Sequence, residues 1–304
     1  MANIEVVALP GDGIGPEVAS AVTRVLEAVA PAFGHELTIH RHEVGWAAYQ
    51  QHGTPLPDDT LDACRRGRAV FLGAVGDPRA DGLPPEKRPE AALLRLRREL
   101  GCFANLRPAK IDDALVGISA LKPVVATGTD LVIVRELTGG IYYGTPRGAE
   151  AGSTRTVNTL AYTELEVERI ARVAFDTARL RRARLTSIDK ANVLEVSQLW
   201  RAVVDRVAGE YPDVELGHMF VDRAAMELVT EPTQFDVVLT SNLFGDILSD
   251  EASVIAGSIG LAPSASLSPP IAASTRLGYR LSRRNPCQIR GFEYGKSWTR
   301  LVFY

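Results

Sequence analysis

An α/β fold in two domains is what this sequence predicts, and three observations predict it. The chain has 304 residues, about twice the ~150 residues of a common single domain. Its opening reads strand, glycine turn, helix: the run IEVVAL over 4–9, then GDGIG, then apolar residues at Val18, Val22, Val25, Leu26 and Val29 with helical spacing. Further short apolar runs fit buried strands at 69–76, 131–137, 184–189 and 235–241, and helical patterns lie between them. Alternation of this kind belongs to α/β architecture.

The elements follow from local chemistry. IEVVAL is rich in β-branched residues and is stopped by Pro10 and Gly11, so a strand over 4–9 passes into a helix over 16–30. Thr163-Glu164-Leu165-Glu166 reads as a capping box, in which hydroxyl and carboxylate each satisfy a free backbone N–H. Apolar residues then recur at Val167, Ile170, Ala171, Ala174, Phe175 and Ala178. A second helix over 194–209 carries Leu199, Trp200, Val203, Val204 and Val207 and stops at Gly209. Residues 143–159 are polar with little core signal, a loop or an arm that reaches a partner. No repeats or low-complexity segments occur.

Composition excludes several classes. No apolar run approaches the ~18–20 residues of a membrane span, and MANIEVVALPGDG lacks the basic start and long apolar core of a secretory signal. Cys64, Cys102 and Cys287 are too few and too scattered for a disulfide frame or zinc site, so a reducing cytoplasm is expected. The net charge of −3 is uneven: residues 267–304 hold seven Lys/Arg against the single acid Glu293. A basic tail with Tyr279, Phe292, Tyr294, Trp298, Phe303 and Tyr304 among its cations superficially fits single-strand nucleic-acid binding. An atypical composition of other origin fits equally.

The residues able to do chemistry are arginines, acids and one lysine. GDGIGPEV over 11–18 spaces its glycines G-x-G-x-G, without the acid about 20 residues on that a dinucleotide fingerprint requires; a tight strand-to-helix turn is the better reading. Arg97 in ALLRLRREL, Arg107 in FANLRP and Arg135 in IVRELTGG are candidates for bidentate carboxylate binding, with surface or ion-paired arginines as the alternative. Asp246 and Asp250 stand one helical turn apart in NLFGDILSD. Like charges so spaced repel, so something positive belongs between them. Asp222, after GHMFV, is a third acid, and three carboxylates suit a hard cation such as Mg²⁺ or Mn²⁺. Helix caps and ordinary ion pairs would place such acids too. Lys190, at the end of a strand, is a candidate base. His40 and His42 alternate as on a strand and make a weak metal pair.

GDGIGPEV, GAVGDP, the E-x-x-L-L-x-x-R pattern from Glu90 to Arg97, FANLRP, VRELTGGIYYG, DKANVLE, and NLFGDILSD through GLAPSASL together resemble the isocitrate/isopropylmalate dehydrogenase family of β-decarboxylating dehydrogenases. They run in family order from about residue 4 to 267. The resemblance implies a two-domain isopropylmalate dehydrogenase-like fold, a large mixed sheet flanked by helices rather than a Rossmann fold. The first, cofactor-side domain would take 1–103 with 252–304. The second would take 104–251, with the metal site, the dimer interface and the arm at 143–159. It further implies NAD as cofactor, Mg²⁺ or Mn²⁺ on Asp222, Asp246 and Asp250, and substrate carboxylates on Arg97, Arg107 and Arg135, with Asp222 also at the substrate. Lys190 would be general base and Tyr142 general acid, with Asn192 and Glu90 on the cofactor side. In this family the lysine and one metal aspartate come from the neighbouring subunit, so a homodimer with shared sites is implied. Leu93 and Leu94, a turn before Arg97, would give an apolar wall suited to the isopropyl group of 3-isopropylmalate; relatives oxidising isocitrate, homoisocitrate or tartrate are the alternatives.

The resemblance stops after residue 267. The family continues with a histidine–glycine loop and an acid that grip the adenosine of NAD; here the chain reads SPPIAASTRLGYRLSRRNPCQIRGFEYGKSWTRLVFY, without a histidine. A changed reading frame or altered terminus is expected, and with it weakened NAD binding, low stability and impaired activity; a genuine alternative ending is the other reading. A non-catalytic dehydrogenase body that binds a partner through its basic tail is the reading from a different class.

Overall fold

The computed structural model describes residues 3–149, 152, 154–268 and 301–303. The chain divides into two compact units, one built on Met1–Cys102 and rejoined at Ala265, the other on Phe103–Ser264.

The first unit opens with β1 (Asn3–Gly11), α1 (Gly15–Ala32), β2 (Glu36–Arg41), α2 (Trp46–His52), α3 (Asp58–Arg66), β3 (Ala69–Ala74) and α4 (Pro89–Glu99). β1 runs parallel to both β2 and β3. Helix α1 covers this sheet through Ala19, which packs with Val6 and Phe71. The apolar stripe expected to face the core does not all do so, since Val18, Val25 and Val29 are exposed. Small residues, Gly15, Ala19 and Thr23, form the buried face instead, because only they let the helix backbone approach the strands.

The second unit holds β4 (Ala104–Lys110), α5 (Pro123–Ala126), β5 (Asp130–Glu136), β6 (Arg147–Ala149), β7 (Thr156–Asn158), α6 (Glu164–Arg179), β8 (Arg184–Asp189), α7 (Glu195–Ala208), β9 (Glu215–Phe220), α8 (Val221–Thr230), β10 (Val237–Thr240) and α9 (Asn242–Ile255). Its strands lie in the order β4-β5-β10-β8-β9. β4 is antiparallel to β5, and the others are parallel. β5 and β10 are buried along nearly their whole length, as expected of a parallel sheet covered on both faces. One face packs Leu131, Ile133, Val238, Leu228, Leu248 and Ile255. The capping box forms as read: Thr163 N–H donates to Glu166 Oε2 at 2.8 Å and Glu166 N–H donates to Thr163 Oγ1 at 3.3 Å. Within 143–159, β6 and β7 pair as an antiparallel hairpin.

The chain then returns to the first unit with β11 (Ala265–Leu267) and β12 (Leu301–Phe303). β12 runs parallel to β3 and antiparallel to β11. The units therefore part after Cys102 and Ser264 rather than at 103/104 and 251/252. Helix α9 runs unbroken past residue 251, and Ala252, Ile255 and Ala256 belong to the second unit's core. Among the described residues no helix is long and apolar enough to cross a membrane.

Candidate active site

The parallel strands of the second unit deliver chemistry-bearing residues at their carboxyl ends, the usual place for sites in such sheets. β5 ends at Arg135 and Glu136, β10 leads into Asn242, β8 into Lys190 and β9 into Asp222.

Arg135 is 2% exposed, so its charge needs partners. Its Nε and Nη2 donate to Asn242 Oδ1 at 3.1 and 2.8 Å, and its Nη1 pairs with Asp246. The Tyr142 hydroxyl donates to the other oxygen of Asp246 at 2.7 Å, and the Arg135 guanidinium carbon lies 6.0 Å from the Tyr142 ring centre. On β4, Arg107 Nε donates to Asn105 Oδ1 at 2.9 Å, and Nη1 stands 3.9 Å from Asp250. The structure thus gathers Arg107, Arg135, Tyr142, Asp246 and Asp250 into one cluster. Each of the two helical aspartates faces an arginine.

Lys190 and Asp222 form a second pair, Nζ to Oδ1 at 2.7 Å. The hydrogen bond from Lys190 holds the Asp222 carboxyl below the usual carboxylate range. Among the described residues no group of three His, Cys, Asp or Glu side chains converges as a metal cage. Asp222, Asp246 and Asp250 are therefore not assembled as one set within a single chain. Their donors are all carboxylate oxygens, with side chains 63%, 37% and 58% exposed, which suits a hard divalent cation that keeps some water.

Asn192 is exposed in the turn after Lys190. In the first unit, helix α4 carries Glu90 exposed in its first turn, Leu93 and Leu94 half-buried, and Arg97 buried. GDGIGPEV is a turn, with a specific task for its acid. Buried Asp12 accepts the backbone N–H groups of Trp46, Ala47 and Gly76, each at 3.0 Å. It so caps α2 and ties it to the end of β3. Gly11, at φ 75°, lies so close to β3 that a Cβ there would fall 1.9 Å from the Ala74 oxygen.

Sequence reasoning missed the residues behind the arginines. Asn242 also donates Nδ2 to Gly139 O at 3.2 Å, and its backbone N–H donates to the Tyr162 hydroxyl at 2.8 Å. Glu136, fully buried, accepts the N–H groups of Thr138 and Gly139, both at 2.8 Å, and shapes the turn that brings up Tyr142. Burial pushes the Glu136 carboxyl up, and burial and then the nearby Glu136 push the Tyr162 phenol far up. Tyr162 therefore stays neutral, a fixed post against which Gly139 and Gly140 pack. Two signals were available: an asparagine inside a strand, Asn105 next to the start of β4, where it is disfavoured, and one at a helix start where Ser241 already holds the cap position.

Two arginines, a phenol and two helical carboxylates gathered in one cluster have the chemistry to hold a small charged organic acid, and the comparisons with known proteins give the family. The sequence model of the family described as isocitrate/isopropylmalate dehydrogenase matches residues 5–277, and the chain belongs to that family. It is 60% identical over 265 residues to a 3-isopropylmalate dehydrogenase of Synechococcus sp. (strain JA-2-3B'a(2-13)), covering 86% of this chain and 71% of the relative. Among solved structures, an isocitrate dehydrogenase from Methylococcus capsulatus is similar with a TM-score of 0.77 at 32% identity, over 98% of this chain and 76% of that one. A protein from Thermus thermophilus matches with a TM-score of 0.74 at 32% identity, over 86% of this chain and 50% of its own length.

Proposed function

We propose that this chain catalyses the NAD-dependent oxidative decarboxylation of 3-isopropylmalate to 2-oxoisocaproate, a step of leucine biosynthesis in the cytoplasm. The observation that carries the reading is the cluster in which Arg107 and Arg135 stand against Asp246, Asp250 and the Tyr142 hydroxyl, in a chain so similar to a 3-isopropylmalate dehydrogenase.

In this reading Arg97, Arg107 and Arg135 bind the substrate carboxylates as bidentate forks. Leu93 and Leu94 supply the apolar wall for the isopropyl group, a preference of about 1–3 kcal/mol against a polar competitor. Asp222, Asp246 and Asp250 hold Mg²⁺ or Mn²⁺, which when bound supplies Lewis-acid stabilisation of the substrate oxygens. Lys190 would accept the proton of the substrate hydroxyl, and NAD⁺ when bound would supply the acceptor for the hydride at C2. Tyr142 gives a proton to the carbon left by CO₂, a general-acid role. Asn192 and Glu90 contact the cofactor. The stretch that stands in place of the family's adenosine loop lies largely outside the described residues.

The reading includes a homodimer with shared sites. Asp222 sits with Lys190 rather than with Asp246 and Asp250, so a second copy would bring the third carboxylate and the base. Helices α8 and α9 expose Met226, Val229, Ile247 and Val254, apolar surface that association would cover.

The test is absorbance at 340 nm with 3-isopropylmalate, Mn²⁺ and millimolar NAD⁺, the last because the tail lacks the family's histidine–glycine loop. NADH should form only with all three present, and chelation should abolish it. Turnover of isocitrate but not of 3-isopropylmalate would overturn the substrate assignment, and no turnover of any 2-hydroxy acid would overturn the enzyme.

A further inference from the structure

Both arginines of the cluster are held in the same way. Arg107 gives its Nε to Asn105 Oδ1, and Arg135 gives its Nε and Nη2 to Asn242 Oδ1. The two asparagines are 0% and 1% exposed. Each is itself anchored: Asn105 donates Nδ2 to Ser264 Oγ at 2.9 Å, and Asn242 is fixed by Gly139 O and the Tyr162 hydroxyl. Asn105 is also the direct cross-strand neighbour of Arg135 in the β4–β5 ladder. Tyr162 is in turn braced edge-on by Trp200, with ring centres 5.4 Å apart.

We propose that Asn105 and Asn242 are positioning residues, each gripping one guanidinium by its Nε edge so that the opposite edge, which faces Asp250 from Arg107 and Asp246 from Arg135, is aimed where those carboxylates and the substrate meet. The proposal rests on the substrate reading above, since it names what orients the forks of that site. An asparagine suits the task better than an aspartate. Its oxygen accepts the guanidinium N–H without a charge that would compete with the substrate carboxylate, and its NH₂ ties the group to the scaffold. A helix-capping role does not account for Asn242, because its side chain reaches Arg135 and Gly139 O and Ser241 occupies the cap position. A guanidinium left to swing would bind the same carboxylate at an entropic cost and in a scattered geometry.

The experiment uses the full chain labelled with [¹⁵N]arginine. The Nε–Hε signals of Arg107 and Arg135 are assigned by their loss in Arg107→Lys and Arg135→Lys, and solvent exchange at both sites is measured in the parent, Asn105→Ala and Asn242→Ala. Asn242→Ala should speed exchange at Arg135 by about tenfold and leave Arg107 unchanged, and Asn105→Ala should do the reverse. Steady-state kinetics should show KM for the hydroxy acid up about tenfold in each variant, with kcat and KM for NAD⁺ within about threefold. Asn105→Asp and Asn242→Asp keep the acceptor oxygen and should restore slow exchange. Unchanged exchange at the matching arginine in a folded alanine variant overturns the proposal, as does a fall in kcat with KM unmoved. If the parent shows no turnover, the substrate reading fails, yet the exchange rates still decide whether the asparagines hold the arginines. Asn242→Ser and Asn105→Ser, too short to reach a guanidinium, serve if an alanine variant does not fold. Failure of those to fold as well would make the asparagines folding residues and overturn the proposal.

Discussion

Asp12 carries a larger share of the first unit than its exposed-looking motif implies. Its buried carboxylate is the acceptor for three backbone N–H groups from two separate segments. Leaving a buried donor without a partner costs about 1–3 kcal/mol, so Asp12→Ala should lower stability by about 3 kcal/mol or more, read as a shift of the urea midpoint. A loss below about 1 kcal/mol would mean that water replaces the carboxylate and that the turn does not depend on it. Asp12 had no signal of its own in the sequence, unlike several charged members of the cluster. Arg135, Asp246 and Asp250 stand out because a charge beside an apolar run demands an explanation, and Arg107 because the proline after it favours an extended backbone. Asn105, Asn242 and Tyr162 did not, because a neutral amide or phenol can be satisfied by almost any backbone group. Their meaning lies in which partner they found, and single-residue chemistry does not specify that.

Elements with a local cause were readable, and those defined by their neighbours were not. Helix α6 begins where the capping box places it, and the reciprocal bonds of Thr163 and Glu166 are formed. Thr163→Ala should therefore cost about 1 kcal/mol, measured by chemical denaturation beside Leu165→Ala, an exposed position in the same turn that should be close to neutral. Equal effects would show that the box contributes nothing beyond helix propensity. Helix α1 shows the limit. Its period was correct, but the side turned inward is the one with Ala19 and Thr23, chosen by how near the strands must come. β12 is a further case. Leu301–Phe303 is strand-prone in composition but too short a run to be read as a strand from sequence, and it pairs with β3 on one side and β11 on the other.

At the scale of the whole molecule, the unpaired question is where the third carboxylate comes from. Spacing alone left open a metal cage, helix caps or ion pairs for Asp222, Asp246 and Asp250, and only the family resemblance implied that two chains contribute. The isolated chain has Asp246 and Asp250 against arginines and Asp222 against Lys190, with no three-acid group among the described residues. If each site takes Lys190 and Asp222 from one copy and Asp246 and Asp250 from the other, two dead variants should rescue one another. A Lys190→Ala dimer lacks the base at both sites, and an Asp246→Asn dimer lacks a ligand at both. A mixed dimer collects both lesions in one site and leaves the other intact. Random association makes half the dimers mixed, each with one working site, so co-expressed variants should recover about a quarter of parental NADH formation. A site complete within one chain predicts no recovery at any mixing ratio. Native mass spectrometry on differently tagged chains shows whether mixed dimers are present. If they are, and the mixture stays as inactive as its parts, the shared site is ruled out and the carboxylates must be brought together by movement within one chain.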